Sequence, residues 1–116
     1  MTKRPDGALE HDIMAVLWAA ERSLLPADVK ARLTTPLAYT SVATVLGRLH
    51  AKGLVSRSES GRAFAYKATV DEANLAARRI GDVLSTATDR DAVLAGFVGG
   101  LSKKDAKSLR ALLDGR

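Results

Sequence analysis

Three stretches of helical apolar spacing, two short strand-like runs and then three further helix starts predict a mainly α protein. Its expected parts are a winged helix-turn-helix domain over residues 1–69 and a C-terminal helical dimerisation region over 70–116. The 116 residues, 47% hydrophobic and 4% aromatic, suffice for one unit or a small domain with an appendage and supply an aliphatic core. A large multidomain enzyme is excluded.

Leu9, Ile13, Val16, Leu17 and Ala20 form the first helical stripe, just after the cap candidates Asp6 and Gly7. Pro26 suits a first helical position, and Val29 with Leu33 give a brief second helix that Pro36 stops. From Ala38 the run AYTSVATVLGRLHAK regains helical spacing, with Val42, Val45, Leu46 and Leu49 on one side and Gly53 as the C-terminal cap. Leu54–Arg57 and Ala63–Lys67 then read as paired strands around a Ser58–Arg62 turn.

Beyond Thr69 three hydroxyl-x-x-carboxylate patterns mark helix starts, at Thr69 with Glu72, Thr88 with Asp91 and Ser102 with Asp105. The faces that follow carry Leu75, Ile80, Val83 and Leu84, then Val93, Leu94, Phe97 and Val98, then Leu109, Leu112 and Leu113. Fewer than about 50 residues do not readily enclose so many apolar side chains, so this region is expected to bury them against a partner. Gly96, Gly99 and Gly100 mark an expected break before the last helix.

The net charge of +5 is unevenly spread: residues 1–70 hold ten basic and six acidic side chains, and 71–116 hold eight and seven. Arg48, Lys52, Arg57, Arg62 and Lys67 stand against Glu59 alone over the end of the third helix and the hairpin, a cluster suited to a phosphate backbone or to a solvated basic face. If the third helix buries its four aliphatic residues, its outer side shows Thr40, Ser41, Thr44, Gly47 and Arg48, with Tyr39 at its start. Short hydroxyls reach base edges or phosphates, and Arg pairs bidentately with guanine, so this face suits a major groove.

With no cysteine the chain has no disulfide, thiol nucleophile or thiolate metal site, which is consistent with a reducing compartment. Met1–Arg4 is followed by Pro5, Asp6, Glu10 and Asp12 instead of an apolar run, so no export signal is expected. The weakly polar stretch Val93–Leu101 falls short of the about 20 apolar residues of a membrane span, which leaves a cytoplasmic location without membrane insertion as the expectation. His11 and His50 are separated and make no metal site; Trp18 reads as a core or junction anchor; no cofactor is expected. Nucleophile elbow, Walker loop and zinc-protease motifs are lacking, and the chain is not read as an enzyme.

LEHDIMAVLW (Leu9–Trp18), AYTSVATVLGRLHAKGLVSR (Ala38–Arg57), GRAFAY (Gly61–Tyr66) and LSKKDAKSLRALLD (Leu101–Asp114) resemble the penicillinase-repressor family, the BlaI/MecI/CopY type. The resemblance spans nearly the whole chain and implies a homodimeric transcriptional repressor of double-stranded DNA. Such a repressor binds a palindromic operator with TACA/TGTA-like half-sites, and its C-terminal helices interlock two chains. Family DNA contacts map onto Thr40, Ser41, Thr44 and Arg48 and onto Arg62 of the wing; Tyr39 and Arg57 join them as candidates. Leu75, Ile80, Val83, Leu84, Val93, Leu94, Phe97, Leu109, Leu112 and Leu113 are the candidate dimerisation residues.

Two departures bear on mechanism. Copper-responsive members carry C-terminal cysteines, which this chain lacks. Members regulating beta-lactam resistance are cut in the dimerisation region, commonly at Asn-Phe, through a membrane sensor-protease pathway; the aligned pair here is Gly96-Phe97, a candidate proteolytic site. A winged-helix protein-interaction module and a non-specific architectural DNA-binding protein are the competing functions.

Overall fold

The computed structural model describes residues 6–115, with the side chain of Asp6 excepted. Met1–Pro5 and Arg116 lie outside the described residues, as does the capping role considered for the Asp6 side chain. The described elements run α1 (Asp6–Ala19), α2 (Pro26–Arg32), α3 (Tyr39–Ala51), β1 (Val55–Ser60), β2 (Ala63–Ala68), α4 (Glu72–Thr86), α5 (Arg90–Gly99) and α6 (Lys103–Leu113). This is the mainly α, winged helix-turn-helix order.

The chain divides into two compact units, Met1–Ala76 and Ala77–Arg116. In the first, α1 and α2 seat α3 through a core of Ile13, Met14, Leu17, Val29, Val42, Val45, Leu46 and Leu49, closed by Leu54, Val55 and Tyr66. Pro26 occupies the first turn of α2, and the Leu25 N–H donates to Asp28 Oδ2 at 3.1 Å, which satisfies one open helix-start donor. α2 ends at Arg32, before Pro36, because Leu33 already adopts extended backbone.

β1 and β2 pair antiparallel from Val55 opposite Ala68 to Ser60 opposite Ala63, leaving Gly61 and Arg62 as a two-residue turn. Gly61 has φ +63 and Arg62 has no positive φ, so glycine sits where a II′ hairpin needs it, and the turn is shorter than the five residues the composition suggested. Leu24, between α1 and α2, adds a bridge to Tyr66 through N–H···O bonds of 2.9 and 2.7 Å, tying the hairpin to the helices.

Three sequence expectations are corrected. Leu75 is buried in the core of the first unit and does not sit on an open face of the second, since the opening of α4 folds back on that core. The start of α4 is capped by Asp71, whose Oδ1 accepts from Asn74 N at 2.7 Å, while the Thr69 hydroxyl donates to Gly53 O. Likewise Asp89 displaces Thr88 as the cap of α5, accepting from Ala92 N at 3.0 Å; a carboxylate is the stronger acceptor of two adjacent choices. Ser102 caps α6 as its spacing indicates, accepting from Asp105 N at 3.0 Å.

In the second unit, α5 runs unbroken through Gly96 and Gly99, and Gly100 is its C-cap with ordinary helical φ. Ile80, Val83, Leu84, Val93, Leu94 and Phe97 line an apolar cavity of about 230 Å³. No residue of α5 or α6 is buried.

Candidate nucleic-acid interface

α3 is held by its apolar side, and the opposite side is open. Val42, Val45, Leu46 and Leu49 are buried, while Tyr39, Thr40, Ser41, Thr44 and Arg48 are exposed. Thr40, Ser41, Thr44 and Arg48 share one face, and at 1.5 Å per residue they extend about 12 Å along the axis, matching the width of a B-DNA major groove. Among the described residues no side chain caps α3, whose N-cap is Ala38, and its first turn holds no acidic residue. The open N–H groups and the positive end of the helix dipole therefore face solvent uncompensated, which favours a phosphate.

The hairpin adds two guanidinium groups. Arg62 is exposed in the turn beside Gly61. Arg57 lies with its guanidinium carbon 4.2 Å from the centroid of Phe64, diagonally across the β1–β2 pair. The ring faces the cation with its negative quadrupole and restrains a long side chain that is otherwise free to swing. Strand alternation puts Val55 and Tyr66, which are buried, on the same side as Arg57 and Phe64, and places Ser56, Ser58 and Lys67 on the other.

Lys52 departs from the basic cluster that the sequence suggested. Its Nζ donates to both carboxylate oxygens of Glu10, at 2.7 and 3.0 Å, and Glu10 is buried on α1. Sequence reading missed Glu10, although its spacing to Ile13, Met14 and Leu17 is that of the inward face of α1. Phe64 was missed as well, because an aromatic in a strand signals pairing and not the cation it will hold.

The remaining candidates fall as follows. Trp18 donates from Nε1 to Val70 O at 2.7 Å, and its ring meets His11 edge-on at 5.8 Å; His11 Nε2 is 3.8 Å from Glu72 Oε2. His50 is half-buried near the end of α3. Ile80, Val83, Val93, Leu94, Phe97, Leu112 and Leu113 are exposed, and Leu84 and Leu109 are half-buried. The Gly96–Phe97 bond lies within α5, with Phe97 lining the apolar cavity. Among the described residues no helix is long and apolar enough to cross a membrane.

A winged helix presenting hydroxyls and a guanidinium on its third helix is the architecture of a DNA-binding transcriptional regulator. The chain belongs to the penicillinase repressor family, whose model matches residues 7–115. It is therefore a member of a family of DNA-binding repressors and not an enzyme. It is 35% identical over 112 residues to the transcriptional regulator BlaI of Mycobacterium tuberculosis, across 92% of this chain and 81% of that protein. Among solved structures, a RosR complex superposes with a TM-score of 0.52 at 24% identity, covering 88% of this chain and 90% of RosR. BpsR of Bordetella bronchiseptica gives 0.51 at 18% identity, covering 93% and 72%. These two likenesses concern the fold.

Proposed function

We propose that the protein is a sequence-specific repressor that binds a palindromic operator as a homodimer and denies polymerase access to the promoter, resembling regulators of beta-lactam resistance genes. Thr40, Ser41, Thr44 and Arg48 read the major groove, Tyr39 stands at the entry of the helix, and Arg57 and Arg62 hold phosphates or the adjoining groove from the hairpin. The single observation that carries this reading is the two-sided α3: four aliphatic residues seat it rigidly, and the face turned outward bears only short hydroxyls and one guanidinium within its groove-length span.

Homodimerisation is supported by the apolar residues that the second unit leaves open, and by arithmetic. One short helix reads few base pairs, and a second tethered copy adds its contacts at small further entropic cost. Within residues 70–116 the part from 77 onward would supply that pairing, since Val70 and Leu75 pack with the reading head of residues 1–69.

Arg48→Ala combined with Arg62→Ala tests the assignment. Operator binding is expected to disappear while the melting temperature and sedimentation coefficient stay those of the wild type. Undiminished DNA binding would instead mark the exposed face of α3 as a protein-docking surface.

A further inference from the structure

Among the described residues Glu10 is the one charged side chain that is buried, and its carboxylate meets the Lys52 ammonium through two short bonds. Lys52 is the C-cap of α3. Its backbone N–H donates to the carbonyl of Arg48 at 3.0 Å, one turn back. Just beyond it Gly53 takes φ +76 and buried Leu54 starts the descent into β1, while Thr69 donates from its hydroxyl to Gly53 O at 2.8 Å. The ion pair thus stands where the helix passes into the hairpin.

We propose that Glu10 and Lys52 are positioning residues for DNA reading: the pair sets the axial and rotational register of α3 against α1, and with it the placement of Arg48 and the hairpin. The inference rests on the reading of α3 as the groove-facing helix. The side chains that α3 buries in the core, Val42, Val45, Leu46 and Leu49, are aliphatic, and burial of aliphatic surface is non-directional, so it resists separation better than sliding or rotation. A doubly bonded carboxylate and ammonium is directional. Such a pair adds little net stability, because burial of the Glu10 carboxylate offsets its attraction to a Lys52 that stays half exposed, so its effect falls on geometry. Base contacts depend on that geometry, because bidentate bonds tolerate little displacement, whereas attraction to the phosphate backbone does not.

The competing role for Lys52 is a direct phosphate contact, and Glu10→Gln separates the two by sign. Removing the carboxylate charge would raise the net positive charge at Lys52 and strengthen binding to any duplex if Lys52 held phosphate. If the pair is a clamp, it weakens operator binding and leaves a scrambled duplex unaffected. The experiment titrates Glu10→Gln, Lys52→Gln and the double variant of the full chain into operator and scrambled duplexes over a range of salt, below each variant's melting midpoint, with Arg48→Ala as reference. Glu10→Gln leaves a neutral amide in the buried position opposite a half-exposed Lys52, so it is the variant expected to fold even if Lys52→Gln, which strands a buried carboxylate, is weakened.

Each single variant is expected to lose about tenfold of the operator preference, and the double variant no more than either, as for two groups acting as one. The salt dependence on scrambled duplex should not change. Wild-type or tighter operator binding by Glu10→Gln, or a salt slope lowered by about 0.9 in Lys52→Gln, would overturn the clamp. If the wild type does not discriminate, or Arg48→Ala discriminates as well as wild type, the groove reading itself has failed and the clamp falls with it. Discrimination that is lost in Arg48→Ala and kept in both clamp variants rejects the clamp alone.

Discussion

The two units of this chain spend similar aliphatic sequence in opposite ways. In the first, apolar residues from three helices and the hairpin close on one another, and Ile13, Met14, Leu24, Leu46 and Leu49 reach complete burial. In the second, α4 from residue 77 onward, α5 and α6 are just as regular, yet Ile80, Val83, Phe97 and Val98 remain more than half exposed. The difference teaches that helix formation and core formation are separate demands. Caps and propensity suffice for the first, while the second needs enough surrounding chain, which some 40 residues do not provide. A unit that closes its own core can hold a reading face rigidly; one that does not is fitted to be completed by another surface.

The sharpest way to break the comparison is to damage the closed core. Leu46→Ala removes a fully buried side chain beneath the exposed face of α3 and should cost about 2–5 kcal/mol, read as a lower denaturant or thermal midpoint. The corresponding change in the open unit should act on assembly instead. Leu94→Asp, which puts a carboxylate into the apolar cavity, should weaken self-association by at least about 2 kcal/mol, read by sedimentation equilibrium, with the midpoint of the first unit little altered.

Smaller effects sharpen the reading face. Arg48→Ala should cost about 1–3 kcal/mol of operator binding with no loss of melting temperature, since the side chain is exposed and supports no core contact. Phe64→Leu should cost about 0.5–1 kcal/mol of binding by releasing Arg57 from its ring, again without melting change, as measured by titration beside calorimetry.

Much of the first unit was legible because its signals are local. The spacing of Val42, Val45, Leu46 and Leu49 fixes which side of α3 is buried, and so, by elimination, which side carries Thr40, Ser41, Thr44 and Arg48. The change of period after Gly53 announces the hairpin. What the sequence hid is of two kinds. Where two acceptors stand close together, as at Thr69 and Asp71 or Thr88 and Asp89, spacing alone does not choose the cap, and the carboxylate takes it. Where partners are distant, local pattern carries no information: Glu10 and Lys52 are 42 positions apart, and Trp18 and the carbonyl of Val70 are 52. Leu75 belongs with these, because its helical stripe looks the same whether it closes one core or opens onto another.

The most direct test is fluorescence anisotropy at about 150 mM salt, where non-specific binding is weak. The wild-type chain is titrated into a palindromic TACA/TGTA duplex and into a scrambled duplex of equal length and composition. A preference of about 10³-fold or more for the palindrome is expected of a specific operator binder. Equal affinity for the two duplexes would contradict sequence-specific repression and leave a protein that holds the DNA backbone alone.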